Sequence, residues 1–188
     1  MSKVYLLLAD GFEETEAIAT ADVLIRAGVE VVTVGIKPFE MAVTGSHKIP
    51  VVANRTFASE DEYDANAFGD GDAVILPGGK AGTENLGKCT AVAGMVKAYY
   101  DAGKHVCAIC AAPTVLAACG IIDGLEITCY PGFDTKLADA IYVNEPVKVT
   151  GTVITGRSMG TAIDFGLAIA RALVGAETAA KVEASLCR

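Results

Sequence analysis

The chain has 188 residues, 52% of them hydrophobic, with 15 Lys and Arg against 23 Asp and Glu, for a net charge of −8. No apolar run reaches the roughly 18 residues of a membrane helix, and an acidic chain without a basic stripe repels nucleic acid and anionic membranes, so neither is an expected partner. The opening MSKVYLLLADGFEE runs early into Asp10, Glu13 and Glu14 and does not read as a signal peptide, which makes the cytoplasm the expected location.

The hydrophobic period switches repeatedly between strand and helix. KVYLLLA (3–9) is a continuous apolar run of the kind a buried parallel strand shows. A helix is expected from about Glu13 to Ala27, closed by Gly28, and VEVVTVG (29–35) is the next strand. DAVILPGG (72–79) follows as a strand, then a helix from about Thr90 to Ala102. HVCAI (105–109) leads straight into the helix of AAPTVLAAC, and TVITG (152–156) into MGTAIDFGLAIARALVG. A last helix covers about Glu177 to Leu186. Alternation of this kind implies an α/β fold with a mostly parallel sheet covered on both faces. The stretches 36–71 and 124–150 read as edge strands and loops of the same domain, which spans 1–188.

Ligands in such folds bind beyond the carboxyl ends of the strands. The ends to inspect are therefore Ala9-Asp10-Gly11, Pro77-Gly78-Gly79, Ile109-Cys110-Ala111 and Gly156-Arg157-Ser158. Neither the dinucleotide fingerprint nor the phosphate-loop pattern is present, and GGKAGTENLG has its glycines at the wrong spacing.

Cys110 stands between an apolar strand and the small residues A-A-P, the cysteine counterpart of a nucleophile elbow. A cysteine is often just a small buried hydrophobe. Its position, with a helix expected to start at Cys110 and favour thiolate, argues for a nucleophile. Cys107 reads as core: on a strand, residues three apart lie about 10 Å apart and point to opposite faces, which argues against a redox pair. No second C-x-x-C completes a zinc site, so no metal is expected. His105 begins the strand that Cys110 follows, about 16 Å away, at the wrong end of the sheet. His47 lies in the loop-rich insert, where it reads as a solvated loop histidine or as one that reaches an active site, that of a neighbouring subunit included. Among the acids, Asp10 and Glu13 have capping-box-like spacing. Glu16 lies deeper, where a carboxyl beside sulfur would have its pKa raised and donate a hydrogen bond.

ADGFEETE, VILPGG, AICAAPTVLA and TGRSMGTAIDFGLAI, in this order, resemble the ThiJ/PfpI superfamily (class I glutamine amidotransferase-like), and within it the parkinsonism-associated deglycase branch. The resemblance covers 3–186. It implies a flavodoxin-like three-layer sandwich and a homodimer. It places the oxidation-prone nucleophile on Cys110, its acidic partner on Glu16 and the oxyanion amides on Gly79 and Ala111, with Gly78 and Arg157 supporting. Tyr130 stands where relatives often have histidine, and His47 where they often have arginine. Ala111, rather than a histidine, follows the cysteine, which argues against protease activity. The function implied is a cofactor-free enzyme of reactive dicarbonyls or glycated substrates, turning methylglyoxal into lactate. The alternatives are a non-enzymatic oxidative-stress sensor or redox-controlled chaperone acting through Cys110, and an amidase or hydrolase.

Overall fold

The computed structural model describes residues 1–187. In chain order the strands and helices are β1 (Lys3–Leu8), α1 (Glu14–Arg26), β2 (Glu30–Gly35), β3 (Ala42–Thr44), β4 (Pro50–Val52), β5 (Arg55–Thr56), α2 (Ala65–Phe68), β6 (Ala73–Leu76) and α3 (Lys80–Lys88). There follow α4 (Thr90–Asp101), β7 (His105–Ile109), α5 (Pro113–Ala118), β8 (Glu126–Ile127), β9 (Ile141–Tyr142), β10 (Val147–Thr150), β11 (Val153–Gly156), α6 (Ala162–Val174) and α7 (Ala176–Ser185).

Seven strands form one sheet in the order β10-β11-β7-β6-β1-β2-β5. Every pairing is parallel except the edge pair β10–β11. Alternation along β1 divides the core into two apolar layers. Val4, Leu6 and Leu8 face one side, where they meet Val23 and Leu24 of α1, Phe165 and Ile169 of α6, and Val182 of α7. Tyr5 and Leu7 face the other, against Met95, Val96 and Tyr99 of α4 and Leu116 of α5. The architecture is the expected flavodoxin-like α/β sandwich, and it brings the carboxyl ends of β1, β6, β7 and β11 to one edge.

Three expectations about elements change. The strand expected over 72–79 ends at Leu76, and Lys80–Lys88 is helix. Gly82 and Gly87 hid that helix, because glycine weakens the helical pattern. Gly82 is small because α3 sits against Phe12, whose backbone would lie 2.6 Å from an added Cβ. Second, only β5 and β10 are edges of the main sheet; β3–β4 and β8–β9 form two small sheets of their own. Third, the helix after β7 begins at Pro113, three residues beyond Cys110.

Candidate active site

β7 ends at Ile109, and Cys110 takes φ +65°. A side chain other than glycine pays a steric cost there, so the conformation survives only where neighbours enforce it. They do so from both sides. The Cys110 amide donates to the Gly156 carbonyl at 2.9 Å, and its own carbonyl accepts from the Tyr130 amide at 2.8 Å. The Ala112 amide closes the turn on the Ile109 carbonyl at 3.0 Å. Leaving the strand also frees Cys110 from strand alternation. It packs at the margin of the layer that holds Cys107 and α1, not on the opposite face. Cys107 is fully buried core, and both thiols are free.

The acidic partner arrives from α1. Glu13 is the N-cap, its Oε2 accepting from the Glu16 amide at 2.6 Å. The expected Asp10–Glu13 box does not form, because Asp10 is spent on the Thr44 amide at 2.9 Å and on Lys37 at 2.7 Å. Glu16 is 1% exposed. Its Oε2 accepts from the Gly78 amide at 2.8 Å. Only glycine fits at 78: an added Cβ would lie 2.5 Å from Glu16 Oε2 and 2.6 Å from Cys110 Cβ. Glu16 Oε1 is buried with no partner of standard hydrogen-bond geometry among the described residues. The carboxyl's other neighbour is the Cys110 thiol, to which it is coupled by hydrogen bond and charge.

Burial pushes Glu16 up to about 7, against the lowering effect of hydrogen bonds from Cys110 and Gly78; Glu13's charge adds to the rise. Burial, then the negative charge of Glu16, pushes the Cys110 thiol up to about 12. The amides of Gly79 and Ala111 pull it down, but less. The expected thiolate-favouring helix end is therefore outweighed by burial beside an acid. Each group feels the charge of the other, so thiol and carboxyl titrate as a pair.

Five of the residues singled out in the sequence thus meet: Cys110, Glu16, Gly78, Gly79 and Ala111. Tyr130 joins through its backbone, while its half-exposed ring stands edge-on to Phe133 at 6.3 Å. Arg157 follows Gly156, and its charge reaches the buried thiol of Cys129. His47 Nδ1 lies 2.8 Å from Glu14 Oε2 and 4.0 Å from Glu13 Oε1. Glu13, Glu14 and His47 thereby bring one ligand-type atom each within 4.8 Å of one another, joined here by the hydrogen bond between His47 and Glu14. His105 sits at the far end of β7, beside the Thr152 carbonyl at 3.3 Å. Sequence reasoning marked the strand end at Gly156 and the acids that open the first helix, but gave no role to Glu14, whose partners lie more than thirty residues away, or to the Gly156 carbonyl, which no side-chain pattern reveals.

The DJ-1/PfpI family model matches residues 2–172. Protein dj-1beta of Drosophila melanogaster is 37% identical over 191 residues, covering 99% of this chain and 97% of that protein. A glutathione-independent glyoxalase of Caenorhabditis elegans is 33% identical over 195 residues, covering 99% and 96%. The crystal structure of Drosophila melanogaster DJ-1beta superposes with a TM-score of 0.90 at 36% identity, covering 100% of this chain and 98% of that one. The chain belongs to the DJ-1/PfpI family.

Proposed function

We propose that the protein is a cofactor-free, cysteine-dependent enzyme of small reactive dicarbonyls, converting methylglyoxal into lactate. The observation that carries this reading is the pairing of the Cys110 thiol with the buried Glu16 carboxyl, fixed by the Gly78 amide at 2.8 Å. The relative named a glutathione-independent glyoxalase supports it.

The chemistry needs a nucleophile, a proton carrier and an oxyanion site, and this pair with the two amides supplies them. The Cys110 sulfur adds to the aldehyde carbon, and the thiol proton passes by way of Glu16 to the aldehyde oxygen, giving a hemithioacetal. Glu16 then takes the hydrogen of that carbon as a proton. The electron pair left behind forms a carbon–carbon double bond to the neighbouring ketone carbon, whose oxygen takes the negative charge (an enediolate), and the hydroxyl proton of the first carbon then passes to that oxygen. Return of the proton to the second carbon leaves a lactoyl thioester, the first carbon oxidised by two electrons and the second reduced by two. Water cleaves the thioester, releasing lactate and the thiol. The amides of Gly79 and Ala111 hold the oxygen on which charge develops. Glycated substrates, being adducts of the same aldehyde, would enter the same site. Arg157 and Tyr130 border it.

The test is lactate formation from methylglyoxal with glutathione omitted, for wild type and Cys110→Ser. Turnover in the first and none in the second is expected. The unpartnered Oε1 of Glu16 favours one second reading, an oxidative-stress sensor: a protonated carboxyl there would donate to a Cys110 sulfinate. Sulfinate formation on Cys110 without aldehyde turnover would select it.

We also propose that the protein is a homodimer. Ile18 and Ile25, two turns apart on one face of α1, are 46% and 60% exposed, and a second copy would cover them.

A further inference from the structure

The hairpin β3–β4 stands outside the main sheet, yet its tip is fastened to the turn that delivers Glu16. The Gly11 amide donates to the Thr44 carbonyl at 2.7 Å, and the Ser46 amide to the Phe12 carbonyl at 2.8 Å. Glu14 completes the attachment. It is 7% exposed and accepts from the His47 amide at 2.6 Å, the Ser46 hydroxyl at 3.0 Å and His47 Nδ1 at 2.8 Å. The tip is moulded to that carboxylate: a Cβ at Gly45 would overlap it. One residue earlier, Glu13 caps the Glu16 amide with Oε2, and its Oε1 faces His47 Nδ1 at 4.0 Å.

We propose that His47 and Glu14 are positioning residues for the Cys110–Glu16 pair: Glu14 anchors the hairpin tip, and the imidazolium of His47, held there, offsets part of the negative charge that Glu13 and Glu14 place beside Glu16. This rests on reading Cys110 and Glu16 as the reacting pair.

The charges are arranged for it. The charged groups that face His47 are Glu14 and Glu13, both from the start of α1. Asp10, the next acid along, is paired with Lys37. The hydrogen bond from Glu14, then its charge, raises the pKa of His47. Burial works against ionisation of Glu14, but the hydrogen bonds from His47 and Ser46 hold it down to about 2. An anionic Glu14 requires Nδ1 to donate. The charge of Glu13 raises Glu16, so the cation beside Glu13 opposes that rise. As pH climbs through the raised value of His47, the cation is lost and the carboxylate of Glu13 acts on Glu16 unopposed. The chain of contact runs from His47 to Glu13 at 4.0 Å and from Glu13 to the Glu16 amide at 2.6 Å.

The readout is the pH dependence of Cys110 alkylation by iodoacetamide, resolved by peptide mapping in the absence of any substrate. His47→Gln keeps a hydrogen-bond donor for Glu14 and removes the cation. It should move the alkylation midpoint of Cys110 upward and slow labelling at pH 7 by about two-fold, the size of effect an exposed ion pair has. His47→Arg, which restores a cation, should return the midpoint to the wild-type side. Melting temperatures measured alongside separate this from unfolding. Equal midpoints for wild type, His47→Gln and His47→Arg would overturn the proposal. Because no substrate is present, a protein that makes no lactate can still pass or fail this test; failure of the enzyme reading is seen separately, in the lactate assay.

Discussion

The Gly78 amide holds Glu16 Oε2 at 2.8 Å, and the missing side chain at 78 lets Cys110 approach the same carboxyl. A strand end, a helix and a turn converge on one α-carbon. Gly78→Ala should therefore be costly. Its methyl group would press on Glu16 and Cys110 at once, and overpacking of this kind costs about 1–3 kcal/mol. Thermal melts should show the loss, and alkylation of Cys110 should change its pH profile even where the variant folds.

Glu16 should destabilise the fold at neutral pH. Its pKa rises from the ordinary 4.5 to about 7 on folding. The native state then binds more protons than the unfolded state between these values, so stability falls as pH rises through that window and stays lower above it. The rise corresponds to roughly 3 kcal/mol at full ionisation. Glu16→Gln should melt higher than wild type at pH 8, and the gap should close below pH 4.5. A constant gap at all pH values would deny that burial raises Glu16.

The sequence made the main frame readable. HVCAI forms β7 residue for residue, and the elbow at Cys110 followed from a strand meeting small residues. The depth of Glu16 followed from its place one turn into an amphipathic helix. Three features stayed hidden for physical reasons. The start of α5 was ambiguous because Ala111 and Ala112 suit turn and helix alike. Helix α3 was masked by two glycines, of which Gly82 answers to tertiary contact with Phe12. The docking of Gly45–His47 on Glu14 joins segments more than thirty residues apart, and nothing local in either segment announces it.

Tyr130 contributes through its backbone. Its amide fixes the Cys110 carbonyl at 2.8 Å, while its ring is 47% exposed. Tyr130→Phe keeps that amide and should leave kcat/KM for methylglyoxal within about two-fold of wild type, as surface changes usually do. Tyr130→Pro deletes the amide hydrogen and should slow turnover much more. Equal large losses in both would assign the role to the hydroxyl.

Light scattering at micromolar concentration should give the mass of a dimer. Ile18→Lys, which places a charge on the exposed face of α1, should shift the protein toward monomer without lowering its helix content. A wild-type monomer, or a dimer indifferent to Ile18→Lys, would place the contact elsewhere or remove it.

The most direct measurement is lactate production from methylglyoxal, with glutathione omitted and a chelator present, across wild type, Cys110→Ser and Glu16→Ala. Cys110→Ser removes the attacking sulfur and should lose nearly all turnover. Glu16→Ala leaves the thiol without its proton carrier and should fall by about 10² to 10⁴, the range for general acid–base catalysis. Wild-type kcat/KM should rise with pH through about 7, as Glu16 becomes able to accept a proton. No lactate above buffer from wild type, or as much from Cys110→Ser, would contradict the account.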